Sequence, residues 1–223
     1  MTLAGQAVMI NWCDVTAVNR PGFYAWHTHH MMDRVGIAGF RRSRRFVAVR
    51  ANSDYFFIYE VDSIAVLTSQ DYITRLNISA AGALGKHDLL SNSVRMLATV
   101  RLSVGIGQGG AMLTARLNAK ESGAEKLKRY LTVEAIPTIA DTPGILSVHL
   151  FERDSAASAV TRPGVNPPAR LPRWVVAVEA VSEDAFDPVC NTHFSEEALH
   201  SHGGDRSSEQ GIYRHEVTIS KTL

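Results

Sequence analysis

FRRSRRFVAVRANSDYFFIYEVDS, residues 40–63, decides the fold. Two strand-like runs, "FRRSRRFVAVR" and "YFFIYEVD", flank "ANSD", whose Asn, Ser and Asp are turn formers, so the stretch predicts an antiparallel hairpin. Upstream, "AVMINWCDV" reads as an apolar strand. Pro21 then opens a helical pattern that ends near Gly36 to Gly39, proline being favoured in the first helical turn. Downstream, Ser63 starts a second helix through about Leu76, an irregular glycine-containing stretch follows, and "SVRMLATVRLSV" supplies a fourth strand. The order is βαββαβ, the ferredoxin-like arrangement.

The remainder of the chain repeats that order. "AMLTARLNA" is a strand and "ESGAEKLKRYLTVEAIPTIADTPG" a helix with its terminating Pro and Gly. "ILSVHLFERD" and "RWVVAVEAVS" are strands, "EDAFDPVCNTHFSEEALH" is mostly helical, and "GIYRHEVTIS" closes. Local similarity aligns the halves: "GFRRSRRF" corresponds to "GILSVHLF" and "FIYEVDS" to "VAVEAVS", which sets Glu60 opposite Glu179. The chain therefore reads as two repeats, 1–108 and 109–223, joined near "GIGQGG". A four-stranded sheet with both helices on one face leaves its other face bare, and runs such as Phe46–Val49 and Phe56–Tyr59 are apolar on both sides. The expected class is α+β: two ferredoxin-like repeats packed sheet to sheet as a dimeric alpha-beta barrel within one chain. A small-ligand cavity is expected between the sheets, or between sheet and helix.

Composition narrows the partners. The 23 Lys and Arg nearly balance 22 Asp and Glu, so no positive field exists to hold nucleic acid or anionic lipid. Cys13 and Cys190 stand alone and far apart, which suits a reducing, cytoplasmic setting and neither a disulfide framework nor a thiolate metal site. No export signal or membrane-spanning run is read from "MTLAGQAVMINWCD" or beyond it. The expected partner is a small molecule, and the expected state is a monomer with an internal pseudo-dimer or a homodimer formed through Ala25, Met32 and Gly36.

"WHTHHMMDRVGIAGFRRSRRF", "YEVDS" and "GIGQGGAML" resemble the dimeric alpha-beta barrel superfamily, its EthD-like branch in particular. The resemblance covers most of the first repeat, and the second by pattern. It implies the fold and a pocket, and no single reaction, since members include isomerases, lyases, dehydratases, haem enzymes, cofactor-free monooxygenases and binding proteins. In relatives the helix commonly carries a Trp, then a His or Tyr, then a Glu-His or His-Glu pair. Here His29 and His30 stand at the corresponding positions.

On a helix at 100° per residue, Phe23, Trp26, His30, Asp33, Arg34 and Ile37 share one broad face with His27 on its flank, while Thr28, His29 and Met32 point away. His30 is the inward candidate for moving a proton, with His27 and Asp33 beside it, and Trp26 and Arg34 are set to hold a ligand. A satisfied core histidine gives the same pattern. The matching helix of the second repeat carries Thr132, Glu134 and Ala135, so the fold does not require histidines there. His27 and His30 with Asp33 or Glu60 could form a two-His, one-carboxylate set, but no H-E-x-x-H motif is present and no resident metal is expected. "CNTHFSEEALHSH" fits no tight ligand spacing and reads as a solvated helix end.

Strand alternation sends Arg42 and Arg44 to one face and Arg41 and Arg45 to the other. Arg44, if buried, needs an anion: a substrate carboxylate or Glu60. Tyr59 and Glu60 point to opposite faces, so a given pocket takes one of them, and His149 is placed to reach the shared cavity. "GIGQGG" precedes a strand, so it offers no helix N-terminus to a pyrophosphate. "ISAAGALGKHDLLSNS", with His87, reads as a surface excursion or a lid.

Three functions stay open: a cofactor-independent lyase, isomerase or dehydratase of small aromatic or keto acids using histidine acid-base chemistry; a non-catalytic small-ligand carrier; and a haem or divalent-metal protein ligated by His30 or His27.

Overall fold

The computed structural model describes residues 2–81, 89–161 and 171–221. The first half runs β1 (Ala7–Asp14), α1 (Arg20–Gly36), β2 (Phe40–Arg50), β3 (Tyr55–Val61), a 3-10 turn (Ile64–Thr68), α2 (Gln70–Ala81) and β4 (Ser91–Gly105). The second runs β5 (Ala111–Leu117), α3 (Glu121–Arg129), a π turn (Tyr130–Ala135), α4 (Ile136–Ala140), β6 (Ile145–Arg153), α5 (Ser155–Thr161) and β7 (Trp174–Ala180). A short 3-10 turn (Glu183–Ala185), α6 (Phe186–His193), α7 (Glu196–Ser201) and β8 (Glu209–Ser220) complete it.

The eight strands of the described residues close into one antiparallel barrel in the order β1-β3-β2-β8-β5-β7-β6-β4. Each half contributes the same four-strand order: β4-β1-β3-β2 from the first and β8-β5-β7-β6 from the second. The halves are zipped edge to edge where β2 pairs with β8 and β4 with β6. The aligned "GFRRSRRF" and "GILSVHLF" occupy equivalent places, β2 and β6, and both are entered through a glycine of positive φ. Gly39 has φ +82° and Gly144 φ +85°, a backbone that a side chain would strain.

Two helical expectations need correction. Ser63 leads only into the 3-10 turn; α2 starts at Gln70 and extends past Leu76 to Ala81. The break is at Ser69, whose backbone is extended and whose Oγ accepts from Tyr72 N at 3.2 Å, the arrangement of a helix N-cap. In the second half the long helix widens into the π turn just ahead of Pro137, which has no N–H to continue the regular ladder.

Three apolar clusters fill the molecule. One lies between the first-half sheet and α1 and α2, and another between the second-half sheet and its helices. The third occupies the barrel interior, where Trp12, Phe46, Phe56, Ile58, Met96, Phe151, Val175 and Tyr213 meet. The bare faces do turn toward each other, and among the described residues large side chains meet between them. Phe56 lies 5.5 Å from Trp12, 5.6 Å from Phe46 and 5.6 Å from Tyr213, centroid to centroid. Burying each such ring contributes on the order of 1.5–3 kcal/mol, so a filled interior is the stable outcome for side chains this large. A cleft lies between helix and sheet, the second of the two expected places. Among the described residues, no helix is long and apolar enough to cross a membrane.

Candidate functional site

α1 begins with Pro21 in its first turn and packs across the outer face of the first-half sheet. Its buried residues are Phe23, His27, Met31, Arg34 and Val35, a stripe at helical spacing centred on His27 rather than on His30. The sheet beneath presents two outward rungs. Register pairs align Arg95, Asn11, Phe57 and Arg45 in one, and Leu97, Met9, Tyr59 and Ser43 in the next. Between α1, α2 and these rungs lies an open cleft of about 550 Å³, its mouth included. Trp26, His27, His30 and Arg34 line it from α1; Met9, Asn11, Phe57, Tyr59 and Arg95 from the sheet; and Tyr72 and Leu76 from α2.

The cleft wall is aromatic and cationic. His30 is half-buried, its ring 5.1 Å from Trp26 and edge-on to Tyr59 at 6.4 Å. Arg34 is 2% exposed, and its guanidinium lies 5.4 Å over the Tyr72 ring. Arg95 donates to Tyr72 Oη at 2.8 Å and approaches Met9 Sδ at 3.1 Å. Burial lowers the Arg34 pKa, though a guanidinium keeps its proton under any ordinary condition.

His27 is 2% exposed, stacks on Phe23 at 5.1 Å and packs at a tilt against Phe57 at 4.1 Å. Its Nδ1 lies 3.3 Å from Arg45 Nη1 and its Nε2 3.3 Å from Tyr59 Oη. Burial holds this imidazole well below the usual histidine range, with His30 and Arg45 pushing the same way, so it is neutral. Burial raises the Tyr59 hydroxyl well above the usual tyrosine range, so it keeps its proton.

The sequence-derived candidates separate into three groups. His27, His30, Trp26, Arg34 and Tyr59 come together at the cleft. Asp33 is exposed on α1 and has no part in the lining: at 100° per residue it falls about 120° from the centre of the buried stripe. His29 is also exposed. Arg44, Glu60 and His149 lie on the opposite face of the sheet, inside the barrel, and do not meet the cleft residues.

These interior residues form a buried charge cluster at one end of the barrel. Glu60 Oε1 accepts from Arg42 Nε at 2.9 Å and Arg44 Nε at 3.1 Å, while its Oε2 accepts from Arg42 Nη2 at 2.7 Å and Ala4 N at 2.7 Å. Arg44 Nη1 reaches across to Glu179 Oε2 at 2.9 Å, joining the two glutamates aligned by sequence. Glu179 Oε2 also accepts from Gly109 N at 3.2 Å. His149 is held by Ser103 and Ser147, with its Nε2 3.5 Å from Glu179 Oε1. The anion that buried Arg44 requires is thus supplied from within the fold, twice over, and a substrate carboxylate is not needed.

A two-His, one-carboxylate site does not form from His27 and His30, because Asp33 faces solvent and Glu60 sits across the sheet. Among the described residues no cluster of three or more His, Cys, Asp and Glu is placed to hold a metal, in "CNTHFSEEALHSH" or elsewhere. Of the stretch expected to be a surface excursion or a lid, residues 82–88, His87 included, lie outside the described residues, while its start belongs to α2 and its end to β4.

Sequence reasoning missed Arg95, Tyr72 and Met9. Arg95 was findable: in "SVRMLATVRLSV" it alternates with Met96 and shares a face with Leu97, so a charge stands on a face that must meet a helix. Tyr72 was hidden by the misplaced start of α2.

No protein-family profile matches the chain, and no curated protein does. Solved structures match over nearly the whole length. An anthrone oxidase-like protein superposes with a TM-score of 0.64 at 14% identity, covering 96% of this chain and 92% of its own. A Fusobacterium nucleatum protein provisionally named a monooxygenase gives 0.62 at 9% identity, covering 98% and 96%. A haem-binding protein from Thermus thermophilus gives 0.53 at 9% identity, covering 96% and 92%. The likeness is one of fold. It agrees with the barrel expected from the hairpin and its repeat.

Proposed function

We propose that this protein is a small-molecule enzyme whose helix-sheet cleft removes a proton from a planar, oxygen-bearing organic substrate, with His30 as the base. The observation that carries the reading is the placement of a half-buried imidazole against an indole, in a cleft that also holds two guanidinium groups, Arg34 from the same helix and Arg95 from the sheet. Trp26, Phe57 and Tyr72 suit a flat ring system. The guanidiniums favour the negative charge that develops on a substrate oxygen as the proton leaves.

Three outcomes follow from such a carbanion. Reprotonation elsewhere is isomerisation, and loss of a neighbouring hydroxyl is dehydration, the reactions expected from the sequence. Transfer of electrons to dioxygen converts a methylene and one dioxygen into a ketone and one water, and the names borne by two of the superposed structures support this third outcome.

A haem fits the described donors poorly. His27 engages both ring nitrogens within the fold, and His30 is packed on Trp26 and Tyr59. No step here runs through one.

The test is turnover of anthrones and aromatic keto acids, followed by absorbance and by oxygen consumption, in wild type and His30→Ala. General-base catalysis of this kind is worth about 10²–10⁴ in rate, so the variant should lose at least about a hundredfold. Equal rates in both proteins would discard His30. Tight binding without turnover across the panel would make the cleft a carrier site, and a Soret band on haem addition would overturn the cofactor-free chemistry.

A further inference from the structure

Building on the reading of the cleft as a small-molecule site, we infer that Arg45 and His27 make Tyr59 the hydroxyl donor of that site, the group that takes the acceptor oxygen of the substrate. Arg45 is itself firmly held. Its Nε bonds Glu216 Oε2 at 2.5 Å, Tyr24 Oη donates to the same carboxylate at 2.7 Å, and the guanidinium lies 4.8 Å over the Tyr24 ring.

From that anchorage Arg45 directs Nη1 at His27 Nδ1, 3.3 Å away. A guanidinium has only donors, so Nδ1 must present its lone pair. A second proton on this ring is excluded by its burial against Phe23 and Phe57 and by the adjacent cation. The single ring proton therefore resides on Nε2, which lies 3.3 Å from Tyr59 Oη. The direction of that hydrogen bond follows: His27 donates and Tyr59 accepts.

The hydroxyl proton of Tyr59 is consequently directed away from His27, on a residue that lines the cleft. With the opposite tautomer Tyr59 would donate to His27 and could only accept from a ligand. The polarity of the site thus depends on a guanidinium one rung across the sheet. Ligand groups that accept are selected: a carbonyl, an enolate or a phenolate.

When His30 draws a proton from such a ligand, Tyr59 holds the oxygen on which charge accumulates, and its burial keeps it protonated to do so. His27 becomes a positioning residue, acting through Tyr59, and so does Arg45. No covalent step is required of either.

The test has two arms. Nitrogen NMR of the histidine side chains should show wild-type His27 as a non-titrating Nε2–H tautomer through the neutral range, and Arg45→Met should abolish that pattern. An Nδ1–H or a titrating His27 in the wild type overturns the inference without reference to any ligand. In the second arm, β-naphthol and naphthalene are titrated by fluorescence. Tyr59→Phe should weaken β-naphthol about tenfold, the loss expected for one hydrogen bond, and leave naphthalene unchanged. Unchanged β-naphthol binding, or an equal loss for both probes, overturns the donor role. If the wild type binds neither probe, the cleft reading falls, and the tautomer spectra still decide the Arg45–His27 relation.

Discussion

Glu179→Gln is the substitution whose effect follows most directly from the geometry. Glu179 is fully buried, and burial alone would push its carboxyl up. His149 and Arg44 outweigh that penalty and hold it at about 2, against 4.5 for an ordinary glutamate. Of the two, Arg44 at 2.9 Å is the firm partner, because His149 Nε2 at 3.5 Å from Oε1 is beyond hydrogen-bond length.

A carboxyl whose pKa is depressed by folding stabilises above its unfolded value and loses that contribution as pH falls through the folded one. At 1.36 kcal/mol per pH unit, the displacement from 4.5 to about 2 is worth about 3 kcal/mol at neutral pH. Glutamine keeps the volume and removes the charge, leaving Arg42 and Arg44 to share Glu60. Urea unfolding of wild type and Glu179→Gln should therefore differ by about 3 kcal/mol near neutral pH, in the range found when one partner of a buried pair is removed. The difference should shrink between about pH 5 and pH 2, as the wild-type carboxylate is protonated. A difference that stays constant across that range, or one below about 1 kcal/mol at neutral pH, would refute the charge-cluster argument.

Two further measurements probe other parts of the structure. Phe56→Ala, in the centre of the barrel interior, should cost about 3–5 kcal/mol in urea unfolding; a cost under about 1 kcal/mol would mean that the interior is not packed as described. Burial, reinforced by Asp14 and Asp54, pushes the Cys13 thiol up to about 12, so at pH 8 about one molecule in ten thousand carries the thiolate. A thiol reagent should label half-buried Cys190 in the native protein and reach Cys13 only after denaturant is added; simultaneous labelling of both would contradict the burial.

The hairpin, the strand alternation and the order of the strands were legible because each rests on local patterns. Arg42 and Arg44 take the interior face and Arg45 the exterior, as a period of two requires, while Arg41 is exposed at the irregularity between Phe40 and Arg42; Tyr59 and Glu60 divide between cleft and interior by the same alternation. The helical face of α1 was readable only to within about a residue's rotation. Counting from Trp26 and His30 brought Asp33 inward, whereas the stripe is centred on His27 because Phe23, Met31 and Val35 carry the apolar area. What local patterns cannot give is which strands of different halves lie side by side. The β2–β8 and β4–β6 seams are tertiary pairings, and they bring the large side chains of both halves together in the barrel interior. The Arg44–Glu179 contact spans the halves for the same reason.

The β2–β8 seam also constrains the order of events during synthesis. β2 leaves the ribosome well before the strand that covers its outer backbone groups, which lies some 170 residues later, so a growing chain carries an open edge until β8 has emerged. For that interval the nascent first half resembles a zipper with one row of teeth, able to engage the same row on a neighbouring polysome. The arginines and the serine that punctuate β2, along with the arginine at its far end, are the kind of residues that keep such a row from closing on the wrong partner.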